Sequence, residues 1–151
     1  MGKTDEILLA VDHLHTHFFT ESGTVRAVNG VSFELCKGER LAIVGESGSG
    51  KSAMAMSLLN LLPHPGKVVA GSVKLLGRDL LAMSERQLNE IRGKEIGTVF
   101  QDPMTSLDPV MTVEDQLVHT IRRHLKLDRK RAAERAVELL RKVGIPDPEA
   151  R

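Results

Sequence analysis

The chain has 151 residues, a length that suits one domain with a hydrophobic core, and 41% of its residues are hydrophobic and 27% charged. The net charge is only +1 and the only aromatic residues are four phenylalanines, so neither charge nor stacking rings indicate a nucleic-acid partner. A single cysteine excludes an internal disulfide, and no apolar run approaches the ~20 residues of a membrane helix. With a polar N-terminus that lacks a signal-peptide pattern, the sequence predicts a cytoplasmic chain.

The first predicted elements form an antiparallel β region. Ile7–Leu14 predicts a strand, and Thr24–Leu35 predicts further β structure. The second segment is interrupted by Asn29-Gly30, a pair that favours a tight turn or a bulge. We therefore expect a small antiparallel unit here and not a βαβ unit.

Three histidines alternate along the first predicted strand. His13, His15 and His17 would share one face of a regular strand, because successive side chains point to opposite faces. This face is either a metal-binding patch or a solvated strand face. The second interpretation is favoured because no cysteine or pair of carboxylates joins the cluster.

The next stretch carries the chemistry. Leu41–Val44 is short and apolar and predicts a buried strand, whereas Ala53–Leu62 is apolar on nearly every side and predicts a buried helix. Between them lies the pattern G-x-x-x-x-G-K-[ST], which is typical of a phosphate-binding loop between a strand and a helix. Its residues are Gly45, Glu46, Ser47, Gly48, Ser49, Gly50, Lys51 and Ser52.

Phosphate binding requires these residue types at this spacing. Glycines let the backbone fold so that successive N–H groups point at one phosphate, and the following helix adds its unpaired N–H groups and positive dipole end. Lys51 would place its charge on the β- and γ-phosphates, and the Ser52 hydroxyl is a hard oxygen ligand for Mg²⁺. The alternative is a Gly/Ser-rich turn that only joins a strand to a helix, and the two flanking segments favour the phosphate site.

Beyond the loop the chain alternates short strands with helices. Pro63–Gly66 ends the loop helix, and Val68–Leu76 predicts a pair of strands that bends at Ala70–Ser72. Ser84 and Gln87 form a capping box for a short helix. The helix spans about Glu85–Arg92, and an apolar strand at Ile96–Phe100 and a loop at Gln101–Pro109 follow it.

Two more helices are predicted after this loop. The first is capped by Thr112 and reaches about Leu125, and the second is capped by Asp128 and runs through Lys142. The buried face of the second helix is expected to carry Ala132, Ala136, Leu139, Leu140 and Val143.

Two stretches together carry a resemblance to a known family. With the glycine-rich loop and the segment Val99-Phe100-Gln101-Asp102-Pro103-Met104-Thr105-Ser106-Leu107-Asp108-Pro109, the chain closely resembles the ATP-binding subunit of bacterial ABC importers of the dipeptide, oligopeptide and nickel type. The loop alone indicates only a P-loop nucleotidase, and the long form of the second segment points to the peptide and nickel group. The resemblance covers essentially the whole chain and implies an α/β fold: a P-loop NTPase core with an antiparallel β subdomain.

The resemblance also implies roles for individual residues. Gln101 resembles the Q-loop glutamine, which in the family reaches Mg²⁺ and the attacking water, so it joins Lys51 as a catalytic residue and Ser52 as a metal ligand. Phe18 resembles the aromatic residue that stacks on adenine, with Phe19 as the second choice. Two alternatives stay open: Gln101 as a cap of local backbone, and Phe18 as a residue packed into the β region.

One segment imitates a different motif. Thr98–Asp102 could be taken for the apolar strand that ends in the Mg²⁺-binding aspartate of other P-loop proteins. We reject this interpretation because Gln101 precedes Asp102, no glutamate follows it, and the family places its glutamine loop here. Asp102 and Asp108 are expected to cap turns before their prolines.

The resemblance further implies cofactors, partners and a location. The cofactors are ATP and Mg²⁺. The partners are transmembrane permease subunits and a second ATP-binding subunit, and the location is peripheral, at the inner face of the membrane through the permease. The family continues with a Leu-Ser-Gly-Gly-Gln-like signature, a strand ending in Asp-Glu and a switch histidine. We therefore expect the chain to be the N-terminal half of such a subunit, with an antiparallel β region at about 1–40, the core up to the Q-loop at 41–109, and the start of a helical subdomain at 110–151.

Three functions follow from this sequence. The first is ATP binding, and in the full-length family ATP hydrolysis, that energises import of peptides or nickel. The second is nucleotide binding without turnover by the chain itself. The third is a self-contained small P-loop kinase or nucleotidase, which predicts a second acidic site and an acceptor pocket that the sequence does not indicate.

Overall fold

A computed structural model of the chain describes residues 6–100, 102 and 106–150. The chain divides into two compact units, Met1–Leu88 and Asn89–Arg151. None of the helices in the described part of the chain combines the length and the apolar character that crossing a bilayer requires.

The first unit is built on a four-stranded antiparallel sheet in the order β2-β1-β3-β4. Its strands are β1 Ile7–Thr20, β2 Gly23–Cys36, β3 Gly66–Leu75 and β4 Arg78–Asp79. The predicted antiparallel character of this region is thereby confirmed. The sheet also recruits β3 and β4, which come after the glycine-rich loop in the chain.

The segment that forms β3 is one strand and not the predicted pair. It is hydrogen-bonded to β1 on both sides of Gly71, with a register shift between Asp12 and His15 of β1. Gly71 has φ 97°, and a Cβ built there would lie 2.4 Å from the carbonyl oxygen of His13. The glycine therefore permits a bulge and a close backbone approach, where the sequence predicted a bend between two strands.

The interruption at Asn29-Gly30 is a bulge within β2. The register between β1 and β2 shifts where Leu14 pairs with Val31 and His15 pairs with Asn29. Gly30 has φ 74°, a conformation that glycine adopts without strain. The prediction of a turn or a bulge at this pair is therefore confirmed as a bulge.

The histidines of β1 do not follow the strict alternation that the sequence predicted. His13 has φ 44° within the bulged stretch, and its Nδ1 lies 2.7 Å from Oδ1 of Asp12. His17 is half-buried and its ring contacts that of Phe19 at a centroid distance of 6.2 Å. Across the described residues, no group of three or more histidine, cysteine, aspartate or glutamate side chains is placed to hold a metal ion.

Helix α1, Lys51–Leu58, is attached to the sheet through a buried polar pair. Thr16 and Ser57 are both 0% exposed, and their hydroxyl oxygens lie 2.7 Å apart. Ser57 donates its own proton to the carbonyl oxygen of Ala53 at 2.6 Å, so Thr16 is the donor to Ser57. The buried apolar side chains of the first unit include Val11, Leu14, Val28, Met54, Leu59, Val73, Leu75, Leu80 and Leu88.

We expect Ser57→Ala to lower the free energy of unfolding by about 1–3 kcal/mol, because the buried Thr16 hydroxyl loses its acceptor. Adding Thr16→Val should recover part of that loss, since the unpaired hydroxyl is then removed. Urea denaturation of the two single variants and the double variant measures the coupling. Ser52→Ala, at an exposed position of the same helix, is the matched control with an expected change below about 0.5 kcal/mol. If the losses of stability in the two single variants simply add up in the double variant, the pairing of Thr16 with Ser57 is contradicted.

Helix α2, Glu85–Ile91, begins with the predicted capping box. The Ser84 N–H donates to Oε1 of Gln87 at 2.9 Å, and the Gln87 N–H points back at the Ser84 hydroxyl at 3.5 Å. The capping prediction is confirmed, and the helix ends one residue earlier than expected.

The second unit contains a pair of packed helices, α3 Val113–Leu125 and α4 Arg129–Lys142. Thr112 and Asp128 cap them as predicted, each accepting a backbone N–H from three residues further on, at 3.1 Å and 2.9 Å. Val143, predicted on the buried face of α4, follows the helix and is 74% exposed. The core between the two helices consists of Val118, Ile121, Ala132 and Ala136.

Two apolar segments predicted as strands are not strands. Residues 41–44 belong to no strand, and Val44 is 88% exposed. Residues 97–100 also form no strand, a single parallel bridge joins Arg92 to Ile96, and Val99 is 99% exposed. The physical reason is that a buried parallel strand obtains its hydrogen bonds and its burial from neighbours, and no described residues form a ladder with either segment.

Candidate functional site

The loop from Gly45 to Ser52 is shaped by glycines in the left-handed region. Gly48 has φ 80° and Gly50 has φ 92°, and the Ser49 N–H donates to the carbonyl oxygen of Glu46 at 3.2 Å. Side-chain-bearing residues rarely adopt such angles. The glycines that the motif requires therefore stand where the backbone turns.

Gly50 joins the loop to the sheet and to α1. A Cβ at this position would lie 2.1 Å from the carbonyl oxygen of Ala27 in β2, so only glycine allows the loop to approach the strand this closely. Gly50 is also the N-cap of α1, and its carbonyl oxygen accepts the N–H of Met54 at 2.8 Å. Because α1 has neither a side-chain cap nor an acidic residue in its first turn, its first N–H groups are available to an external anion.

The ammonium group of Lys51 lies over the loop. Its Nζ donates to the carbonyl oxygens of Gly45 at 2.7 Å and Glu46 at 2.5 Å, and it lies 3.3 Å from the Ser49 hydroxyl. These acceptors are neutral. A phosphate oxygen is a stronger acceptor because the resulting hydrogen bond is charge-assisted, so Lys51 is positioned to exchange loop oxygens for phosphate oxygens.

Ser52 supplies a hydroxyl in the first turn of α1. The residue is exposed, and its hydroxyl has no hydrogen-bond partner among the described residues. A hard oxygen donor beside a phosphate site fits Mg²⁺, which is usually held by one or two protein oxygens together with phosphate oxygens and water. The other predicted ligand, Gln101, lies outside the described residues.

Phe18 lies on the sheet face that carries α1. Side chains alternate along this part of β1, and Thr16, two residues earlier, is bonded to α1. The half-buried Phe18 ring covers Gly66, where a Cβ would lie 2.7 Å from the ring Cε1 atom. Phe19 points to the opposite face with His17, so the structure favours Phe18 over Phe19 as the adenine-stacking candidate. Its packing on Gly66 keeps the purely structural alternative open.

One glutamine that the sequence did not single out binds the backbone of residues 108 and 111. Gln116 of α3 accepts the N–H of Asp108 at 3.0 Å through Oε1, and its Nε2 donates to the carbonyl oxygens of Asp108 at 3.0 Å and Met111 at 3.2 Å. Asp108 also accepts the N–H of Val110 at 3.0 Å, which confirms its predicted role in a turn. No sequence pattern identifies Gln116, because its bonds depend on how the loop folds back onto the helix.

Comparison with known proteins gives the family. The model of the ABC transporter family matches residues 28–151. The chain is 50% identical over 147 residues to the "Probable peptide ABC transporter ATP-binding protein y4tR" of Sinorhizobium fredii, a match that covers 97% of the chain and 44% of that protein. It is 50% identical over 145 residues to the oligopeptide transport ATP-binding protein OppD of Bacillus subtilis, covering 95% of the chain and 40% of that protein. The chain thus spans less than half the length of these relatives.

Solved structures share the fold. The dimeric structure of MJ0796, titled a bacterial ABC transporter cassette, superposes with a TM-score of 0.74 at 24% identity, over 88% of this chain and 56% of that one. CbiO1 of Clostridium perfringens, titled part of an ABC transporter complex, superposes with a TM-score of 0.64 at 26% identity, over 94% of this chain and 52% of that one. The family match over most of the chain and the shared fold agree: the chain belongs to the ABC transporter family and has the fold of part of a transporter cassette.

Proposed function

We propose that the chain binds ATP with Mg²⁺ at the loop 45–52 and contributes this site to an ABC transporter that imports peptides. The observation that carries the proposal is the uncapped N-terminus of α1, with left-handed glycines before it and the Lys51 ammonium over the loop. The relatives named for peptide and oligopeptide transport support peptides as the imported class, with nickel as the alternative.

Each predicted site residue has a role in this proposal. The backbone N–H groups of the loop and of the first turn of α1 surround the phosphates, and Lys51 neutralises the β- and γ-phosphates. Ser52 and Gln101 would hold Mg²⁺, which would supply positive charge to the phosphate oxygens. Gln101 also orients the attacking water, and Phe18 stacks on adenine. Lys51 and Gln101 are the catalytic residues of the proposed ATP hydrolysis.

The proposed partners are a permease and a second ATP-binding subunit. The segment 107–111 exposes apolar side chains, with Leu107 53% exposed, Val110 88% and Met111 43%. Gln116 holds the backbone of this segment against α3, so the apolar side chains form a defined surface that suits an apolar permease helix. Such contact would hold the chain at the inner face of the membrane. The solved dimer of the related cassette supports pairing of two ATP-binding subunits.

The test of the proposed function compares the binding of ATP with the binding of tripolyphosphate, which represents the phosphate tail of ATP. The wild-type chain and Phe18→Ala are titrated calorimetrically with Mg-ATP and with magnesium tripolyphosphate. We expect the wild-type chain to bind both, and Phe18→Ala to weaken ATP about tenfold with little change for tripolyphosphate, because stacking on a base contributes about 1–3 kcal/mol.

The matched control is Phe33→Ala, which removes a half-buried phenylalanine of β2. It should affect both ligands equally, through stability alone. Equal losses for ATP and tripolyphosphate in Phe18→Ala would assign Phe18 to packing on Gly66. A wild-type chain that binds neither ligand would contradict the proposed function itself.

A further inference from the structure

A basic cavity lies beside the C-terminal half of α3, in the second unit. It has a volume of about 520 Å³. Four of the five side chains that line it are basic: His119, Arg122, Arg123 and Lys126, with Leu127 as the apolar member. Nothing in the proposed nucleotide site uses these residues.

Helical geometry brings the basic residues together. Positions 119, 122 and 123 follow the i, i+3, i+4 spacing that places side chains on one face of α3, and Lys126 follows as the C-cap of the helix. The neighbouring stripe of α3, Val118 and Ile121, is buried against α4. Packing of α3 therefore fixes which way the basic stripe faces.

No carboxylate in the described part of the chain neutralises the charges of this cavity. Among residues 6–100, 102 and 106–150, no carboxylate forms an ion pair with Arg122, Arg123 or Lys126. Asp115 and Asp128, the acidic residues that begin α3 and cap α4, are each paired with an arginine of α4. Three cations thus share one cavity without a counter-ion among these residues, in a chain whose formal net charge is only +1.

The helix dipole accounts for part of this arrangement. The C-terminal end of a helix favours cations in its last turn, and Arg122 and Arg123 lie there. The dipole acts over that turn only, so it does not account for His119 or for the convergence of all four side chains on one cavity. Convergent guanidinium groups are instead the usual arrangement for binding phosphate.

We propose that the cavity lined by His119, Arg122, Arg123 and Lys126 binds a phosphate-bearing anion. The two arginines would each donate a pair of hydrogen bonds to phosphate oxygens, and Lys126 would add a point charge. The group can come from a free polyphosphate or from the headgroup of an anionic phospholipid. The proposal is independent of ATP binding, because none of its residues belongs to the loop 45–52.

The test uses the full chain with Lys51→Ala as the parent, so that the glycine-rich loop contributes little to phosphate binding. The double variant Arg122→Gln/Arg123→Gln is compared with its parent in two arms. The first measures tripolyphosphate binding by calorimetry, and the second measures co-sedimentation with phosphatidylcholine vesicles with or without phosphatidylglycerol. Arg86→Gln/Lys94→Gln removes two charges at exposed positions outside α3 and is the matched control.

We expect the double variant to lose at least about tenfold affinity in one arm, with the control variant unchanged. Loss in the tripolyphosphate arm identifies a soluble anion, and loss confined to the vesicles that contain phosphatidylglycerol identifies a lipid headgroup. The proposal is overturned if the parent binds neither probe, or if the control variant loses as much affinity as the cavity variant. Circular dichroism of each variant verifies that α3 is retained.

Discussion

Lys51→Ala is expected to weaken Mg-ATP binding about 100-fold or more. A charge-assisted hydrogen bond contributes about 1.5–3 kcal/mol, and the Lys51 ammonium would form such bonds with both the β- and γ-phosphates. The substitution also removes its bonds to the carbonyl oxygens of Gly45 and Glu46, which loosens the loop itself. Calorimetric titration with Mg-ATP measures the loss.

Two comparisons sharpen this experiment. Lys94→Ala removes an exposed lysine elsewhere and should leave ATP affinity unchanged. Lys51→Arg keeps the charge but replaces a point charge by a wide planar group, so it should restore little of the affinity. If Lys51→Ala leaves the ATP affinity unaltered, the proposal is contradicted and the loop is only a turn that joins two elements.

The same variant decides between hydrolysis and binding alone. ATP binding with phosphate release at background in the wild-type chain would assign nucleotide binding alone to this chain. Steady phosphate release that disappears in Lys51→Ala would instead assign turnover to this chain.

Gly50→Ala is expected to lower the free energy of unfolding by about 3 kcal/mol or more. The new methyl carbon would lie 2.1 Å from the carbonyl oxygen of Ala27, so β2 or the start of α1 must move, and φ 92° adds backbone strain. Because that movement displaces the N–H groups of the first helical turn, ATP binding should be lost as well. Urea denaturation and calorimetry measure the two effects.

Gly48→Ala is the matched control for stability. Gly48 has a similar φ of 80°, but a Cβ there would meet nothing within 4 Å. Its expected cost is therefore the strain alone, about 1 kcal/mol. Equal destabilisation by the two substitutions would show that contact with Ala27 does not constrain the loop.

Features that depend on residues close together in the chain could be predicted from the sequence. The capping box of Ser84 and Gln87 and the caps at Thr112 and Asp128 are bonds across three residues, and the structure has all of them. Left-handed angles at Gly48 and Gly50 likewise follow from the residue type, since glycine adopts them without strain.

Features that depend on partners distant in the chain could not be predicted from the sequence. Val44 and Val99 lie in apolar segments that predicted strands, yet neither segment has a ladder partner among the described residues, and apolar character alone does not form a strand. The sequence predicted a bend at Gly71. The structure has a bulge there instead, because β1 runs close beside this residue. The face on which Phe18 lies was likewise decided by the sheet and by the Thr16 bond to α1.

The sequence by itself therefore determined the glycine-rich loop, the helix caps and the family, because these reside in the identity and spacing of neighbouring residues. Only the tertiary structure decided the order of the strands, the buried Thr16–Ser57 pair, the approach of Gly50 to Ala27, and the basic cavity of α3. Each of these joins residues that are distant in the chain or selects one face of an element. Such choices are made by packing and by hydrogen-bond partners, which a local pattern does not encode.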